Sequence, residues 1–267
     1  MERILVLGTG AGLTANCYST CFLLQNNDKY LLVDTGSGAQ IKKQLMEVDV
    51  KFLQIHDLFI SHKHIDHLLG IFCVIRLICQ DMCAGKYEGN LNIYCDNEIK
   101  KIVDRFIEDS FHKNHTDMYK ERVIFRNIHD GDELDVIGYK LKVMDVHSIE
   151  DKQFGFQVVL NNEKILSFLG DVPCSREVED KIKDNDWVLH EVFCLESEAL
   201  IFKPREKNHS TVKDVAEKMQ TLNVKNLVLW HTMDNNISER KRLYTEEAKN
   251  YFGGNVYVPN DLDIIEL

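Results

Sequence analysis

Apolar residues along this chain gather in short unbroken runs that end in polar or glycine-rich turns, with stretches of helical spacing between them. The runs at 4–7, 20–24, 30–33, 57–60 and 91–94 predict strands. Further strands are expected at 123–125, 139–146, 154–160 and 164–169, and short buried ones at 188–189 and 227–230. Helical spacing predicts helices over 40–49, 68–83, 175–183, 211–222 and 238–251. Asp96 reads as the N-cap of another helix running through Ile107. Thr211 and Asp214 would cap the helix that follows His209, with Val212, Val215, Ala216, Met219 and Leu222 as its buried face. Two series of strands, each followed by helices, suggest two packed sheets with helices outside. No repeat or low-complexity linker interrupts this pattern, and only three prolines occur, so one domain over 1–267 is expected.

Composition narrows the class. A chain of 267 residues, 44% hydrophobic, can bury a core that needs no disulfide support. The first apolar run is too short for a signal peptide, and no stretch approaches the roughly twenty apolar residues of a membrane span. The cytoplasm is the expected location. Eight cysteines sit mostly among apolar neighbours, which suits reduced, buried thiols. The net charge of −11 argues against a broad nucleic-acid footprint. It leaves room for an anionic substrate, because bound dications would reverse the field of an acidic cleft.

The chemistry concentrates at the end of the 57–60 run. There the chain reads Ser61-His62-Lys63-His64-Ile65-Asp66-His67. Imidazole and carboxylate suit zinc, manganese or iron, and a closed structural zinc site would need fewer donors and would usually use thiolates. A strand end aims such donors into a cleft from a rigid support. His147, Asp171 and His231 also stand where strands end. Each is ambiguous alone, but together they supply what a two-metal site would still lack, and Asp171 could bridge two ions. The turn Gly8-Thr9-Gly10-Ala11-Gly12 lacks the register of a dinucleotide loop and reads as a tight turn at a cleft edge.

In their order along the chain, Asp34-Thr35-Gly36, the H-x-H-x-D-H cluster, His147, Gly170-Asp171 and His231 resemble the motifs of the metallo-β-lactamase superfamily. The resemblance covers essentially the whole chain. It implies an α/β fold, a four-layer αβ/βα sandwich of two β-sheets flanked by helices, with the site at the upper edge of the sheets. By the same resemblance His62, His64 and His147 would bind a first metal and Asp66, His67 and His231 a second, bridged by Asp171. His64 stands where redox-active diiron relatives resemble each other in having Glu, which favours a hydrolytic site with two Zn2+, manganese or iron being the alternatives.

The chain is similar in finer detail to ribonuclease Z and its phosphodiesterase relatives. Leu7 to Gly12 resembles that group's opening, His190-Glu191 the first half of its H-E-A-T motif, and His209-Ser210-Thr211 its H-S-T motif. Val192-Phe193 departs from the rest of H-E-A-T. Only 23 residues separate His147 from Asp171, where ribonuclease Z usually carries a tRNA-gripping arm. Asn235 lies where that group tends to show an Arg-Tyr pair. Only 59 residues separate Asp171 from His231, too few for the extra domain of the mRNA-processing branch.

The expectation is therefore a dinuclear-metal phosphodiesterase acting on a small phosphodiester or short nucleic acid. A hydroxide held by the metals would attack, Asp66 would orient it, and His209 with Glu191 would protonate the leaving group. Alternatives are a thioester or lactone hydrolase, a tRNA 3′ endonuclease, and a metal-binding regulator without turnover. The expected partner is a small anionic ester, with weak or absent tRNA processing and no membrane; a homodimer is left open.

Overall fold

Each unbroken apolar run becomes a strand whose two faces are both covered. The computed structural model describes residues 1–267 and arranges the strands in two seven-stranded sheets. The first contains β1 (Glu2–Gly8), β2 (Cys21–Asn26), β3 (Lys29–Val33), β4 (Ile55–Phe59), β5 (Leu91–Cys95) and β6 (Val123–Asn127). The second contains β7 (Glu133–Val136), β8 (Tyr139–Asp145), β9 (Phe154–Val159), β10 (Ile165–Phe168), β11 (Trp187–Glu191), β12 (Asn226–Trp230) and β13 (Asn255–Tyr257). The last strand, β14 (Ile264–Glu266), returns to pair with β1 at the edge of the first sheet.

Both sheets follow one plan. Strands β14-β1-β2-β3 are antiparallel and β3-β4-β5-β6 parallel; β7-β8-β9-β10 are antiparallel and β10-β11-β12-β13 parallel. Strands β3, β4, β10, β11 and β12 deliver most of the candidate residues from their C-terminal ends; His147 follows β8 and His209 precedes α8. Ligand sites in parallel sheets lie at such ends, because the chain leaves each strand there in a loop free to carry chemistry.

Helices cover the outer faces. On the first sheet they are α1 (Ile41–Glu47), the one-turn α2 (Ile65–Leu68), α3 (Ile71–Cys83), α4 (Asn97–Ser110) and α5 (Lys113–Arg122). On the second they are α6 (Arg176–Ile182), α8 (Val212–Thr221) and α9 (Arg240–Lys249), while the short α7 (Ala199–Phe202) lies on the surface with no buried residue. Between the sheets lies an aromatic core. Phe22 packs on Trp230 and Phe168 at centroid separations of 4.8 and 5.4 Å, and Phe59 packs edge-on to Phe156 at 5.2 Å. The four-layer architecture read from the sequence is the one observed. All eight cysteines are free.

Several elements differ from the sequence expectation. The helix expected over 68–83 breaks at Gly70 into α2 and α3. The cause is a close approach: Gly70 N–H donates to Gly36 O at 2.9 Å, and a Cβ on Gly70 would overlap the Thr35 carbonyl. Thr35 in turn donates from both N–H and Oγ1 to His67 O. The Asp34-Thr35-Gly36 turn is thus docked on the α2–α3 junction. Helix α5 buries only Tyr119, so it shows no apolar stripe; β13 and β14 are three residues each.

Gly70→Ala should force the Thr35 carbonyl out of place and lower unfolding stability by about 1–3 kcal/mol. A urea melt reads this as a lower midpoint at unchanged slope. An unchanged midpoint would mean that the turn yields freely and does not fix the junction.

Candidate metal centre

Strand ends supply the site. Asp34 follows β3, the histidine cluster follows β4, Asp171 follows β10, Glu191 ends β11 and His231 follows β12. Two of these positions, Asp34 and His231, have φ near +56°, and Gly170 before Asp171 has φ +70°. Left-handed backbone in non-glycine residues costs on the order of 1–3 kcal/mol each and persists where the surroundings over-determine it. Here the turns bend each side chain back over the edge of the sheets.

Asp66, His67, Asp171 and His231 form one buried group whose ligand atoms lie within 4.8 Å of one another. His67 Nε2 is 3.3 Å from both Asp66 Oδ2 and Asp171 Oδ2, and 3.4 Å from His231 Nε2. His62, His64 and Asp171 form a second group, with His62 Nε2 3.4 Å from Asp171 Oδ2. Asp171 belongs to both. A third group, Glu191, His209 and His231, adjoins them.

The donor chemistry fits metal ions. His62 Nε2 and Asp171 Oδ1 are buried and have no hydrogen-bond partner. Two imidazole nitrogens face each other at His67 and His231, an arrangement a shared cation would stabilise. No thiolate belongs to the groups, and nitrogen and carboxylate donors suit zinc, manganese or iron.

A buried carboxylate orients the rings. Asp34 Oδ2 accepts from His67 Nδ1 at 2.8 Å and from Ser61 Oγ at 2.7 Å, while Asp34 Oδ1 accepts from Ser61 N–H at 2.8 Å. Ser61 Oγ lies 3.0 Å from His62 Nδ1. Both rings therefore turn Nε2 toward Asp171. Gly12 N–H, from the glycine-rich turn, donates to Asp66 Oδ2 at 3.0 Å, so that turn does edge the cleft.

The electrostatics follow from burial and charge. Burial alone would lower the His67 pKa, but Asp66 and Asp34 outweigh it and hold the imidazole well above its ordinary value. Burial would raise Asp171, yet His62 and His67 hold it well below the usual carboxylate range. For His62 burial wins over Asp171 and the pKa falls, which favours the neutral ring that ligates. His209 lies 3.5 Å from Glu191 Oε2 through Nδ1 and stacks on Phe193 at a 4.7 Å centroid separation. Burial would lower its pKa, but Glu191, then Asp171 and Asp66, raise it overall. Glu191 is fixed by Ser210 N–H at 2.8 Å. Thr211 and Asp214 form the expected reciprocal cap on α8.

Six of the candidate ligands come together; His147 does not. It sits exposed at the end of β8 with φ +57°, its N–H donating to Asp145 Oδ1 at 2.7 Å and its Nδ1 4.0 Å from that oxygen. The Asp145 carboxylate holds the His147 backbone on the rim. This placement differs from the expectation of a first-metal ligand.

Two further features were not foreseen. Asp34 is visible in the sequence as part of a motif, but its contacts with His67 and Ser61 require the folded turn. The segment after His231 is a clasp: Asp234 Oδ2 accepts from Ala15 N–H, Asn16 N–H and Asn16 Nδ2, and Glu198 Oε1 accepts from Asn235 Nδ2 at 2.7 Å and from Asn236 Nδ2. Three rim loops are tied together where the sequence lacks an Arg-Tyr pair.

The solved structure of the metallo-β-lactamase-fold protein YhfI from Bacillus subtilis is similar to this chain, with TM-score 0.78 and 17% identity over 98% of each chain. The short form of human tRNase Z superposes with TM-score 0.76 and 19% identity, over 99% of this chain and 98% of that one. A diphosphatase from the PhnP family gives TM-score 0.75 at 14% identity, over 100% and 98%. These likenesses establish the metallo-β-lactamase fold. In sequence, ribonuclease Z from Prochlorococcus marinus subsp. pastoris is 27% identical over 281 residues, 86% of this chain and 87% of that protein. Ribonuclease Z from Oceanobacillus iheyensis is 26% identical over 318 residues, 99% of this chain and 100% of that protein. The model of one family, described as anti-Pycsar protein Apyc1, matches residues 2–247, and the chain belongs to that family.

Proposed function

We propose that this protein is a dinuclear-metal phosphodiesterase that hydrolyses a small phosphodiester. The observation that carries the reading is the pair of overlapping donor groups that share Asp171, with His209 and Glu191 beside them. One ion would be held by Asp66, His67 and His231, the other by His62 and His64, with Asp171 common to both; His147 would complete the second set if its loop turned inward. Two divalent cations there would activate water at neutral pH and offset charge developing on phosphoryl oxygens. Asp66, held by Gly12 N–H, orients the attacking water.

His209 supplies the proton that a leaving alkoxide needs. Its imidazole is held protonated above its ordinary range by Glu191, against burial. This favours phosphodiesters over thioesters, whose thiolate leaves with little help. The names of the sequence relatives support phosphodiester chemistry.

Features of the rim support a small substrate over tRNA. The interval between His147 and Asp171 holds strands β9 and β10, a short turn between them and a six-residue loop before β9. The alignment with the Oceanobacillus protein runs over 318 positions against 267 residues here, so at least about fifty residues of that relative have no counterpart. Asn235 is committed to Glu198, and the net charge is −11.

The reading is tested by metal analysis with kinetics on bis-aryl phosphodiesters, thioesters and a tRNA precursor. Metal-dependent turnover of the phosphodiester is expected to exceed both others. Specific 3′ cleavage of the precursor at sub-micromolar concentration, faster than the small ester at low salt, would reject it in favour of a tRNA endonuclease.

Asp171→Ala should reduce occupancy by both ions, because Asp171 Oδ2 lies against His62 of one group and against His67 and His231 of the other. Full dimetal content in the purified variant would remove the bridging role.

His209→Ala should retain metals and lose about 10²- to 10⁴-fold in turnover of esters with alkoxide leaving groups, with a much smaller loss for acidic phenols. Because the acid form is required, activity on alkoxide esters should fall as pH rises through the raised His209 pKa. Glu191→Gln should move that limb to lower pH. A limb that stays in place would assign the protonation elsewhere.

A further inference from the structure

We propose that Asp151 is a positioning residue that fixes the tautomer of His64 and anchors the loop carrying His147, and so governs one of the two metal positions while leaving the other alone. This rests on the dinuclear reading above. Asp151 Oδ2 lies 3.1 Å from His64 Nε2, and Asp151 Oδ1 lies 2.7 Å from Lys63 Nζ, which also reaches Glu98 at 3.4 Å. An ionised carboxylate can only accept, so His64 Nε2 carries a proton, and in the neutral ring that can ligate the lone pair resides on Nδ1.

His64 is thereby oriented in the opposite sense to its neighbours. His67 gives Nδ1 to Asp34 and His62 gives Nδ1 to Ser61, and both present Nε2 to the cluster. His64 gives up Nε2 and presents Nδ1. Its ring stands nearly perpendicular to that of His62, at 81° and 4.5 Å between centroids. The H-x-H spacing places two rings side by side on one loop; opposite tautomers let both address one ion without competing for the same space.

The anchor comes from the other sheet. Asp151 lies in the loop between β8 and β9, four positions after His147. Lys152, the next residue, reaches Asp96 at the N-cap of α4 at 3.4 Å. The far end of the loop is thus latched to the first sheet at two adjacent positions. The same carboxylate that orients His64 sets the distance from which His147 could approach. Asp151 and His64 side chains are 29% and 38% exposed, so solvent weakens the pair and its loss should be felt in ion affinity more than in folding. Partners that orient metal-ligating histidines typically change affinity about 10- to 100-fold when removed.

The test uses purified protein, stripped and titrated with Zn2+ against a chromophoric chelator, with 15N NMR of the histidine rings in the metal-free state. In the wild type His64 should appear as the Nε2–H tautomer. Asp151→Ala should lower the affinity of one ion about 10- to 100-fold, leave the other unchanged, and give His64 a mixture of tautomers. Asp151→Asn, which keeps an accepting oxygen, should restore much of both readouts. A His64 that is Nδ1–H in the wild type, a tautomer unchanged in Asp151→Ala, or an equal loss at both ions would overturn the proposal. A wild type that binds fewer than two ions would refute the dinuclear reading itself, whereas two ions bound equally well by wild type and Asp151→Ala would refute this inference alone.

Discussion

The Asp34 carboxylate is the contact on which the site depends. It sits 1% exposed at the end of β3 and takes hydrogen bonds from His67, from Ser61 N–H and from Ser61 Oγ. Through Ser61 it reaches His62. One charge buried in the first sheet therefore sets the rotation of two imidazoles that face a carboxylate from the second sheet. Removing a buried acceptor of this kind would strand several donors at once, and partners of metal-ligating rings matter nearly as much as the ligands. The turn that holds Asp34 is itself fixed by Thr35 and Gly36 against His67 and Gly70, so the orienting group and the oriented group are one unit.

The layers explain why such a unit can be held rigidly. The aromatic core between the sheets lies directly beneath the strand ends, with Phe22, Phe168 and Trp230 in mutual contact. Left-handed backbone occurs at the strand ends above it, at Asp34 and His231. Above the edge, order comes from polar contacts instead. Asp234 and Glu198 collect donors from neighbouring loops, and Asp151 and Lys152 latch the loop after β8.

The fold was legible wherever burial wrote an unbroken apolar run. Strands β2, β3, β4 and β12 are of this kind. Helix α5 was not legible, because Lys113–Arg122 fully buries only Tyr119, with Met118 partly buried beside it, and so carries no apolar stripe. The break at Gly70 depends on a carbonyl from a distant turn, which no local periodicity records. At the site, donors clustered in sequence or placed at strand ends could be named in advance, and six of them converge. His147 did not, since a carboxylate two positions earlier holds it on the rim. Asp151 was invisible because it lies in an aperiodic polar stretch and acts through a contact between sheets.

The aromatic core also has an optical consequence. The chain has two tryptophans, both buried: Trp187 at the start of β11 and Trp230 at the end of β12. Trp230 is the residue before His231 and packs against Phe22, whereas Trp187 sits at the opposite end of the sheet, beside Tyr257. Light emitted by this protein is therefore divided between a reporter beneath the candidate metal centre and a reference far from it. Events at the strand ends should register in one indole and not the other, with no label added.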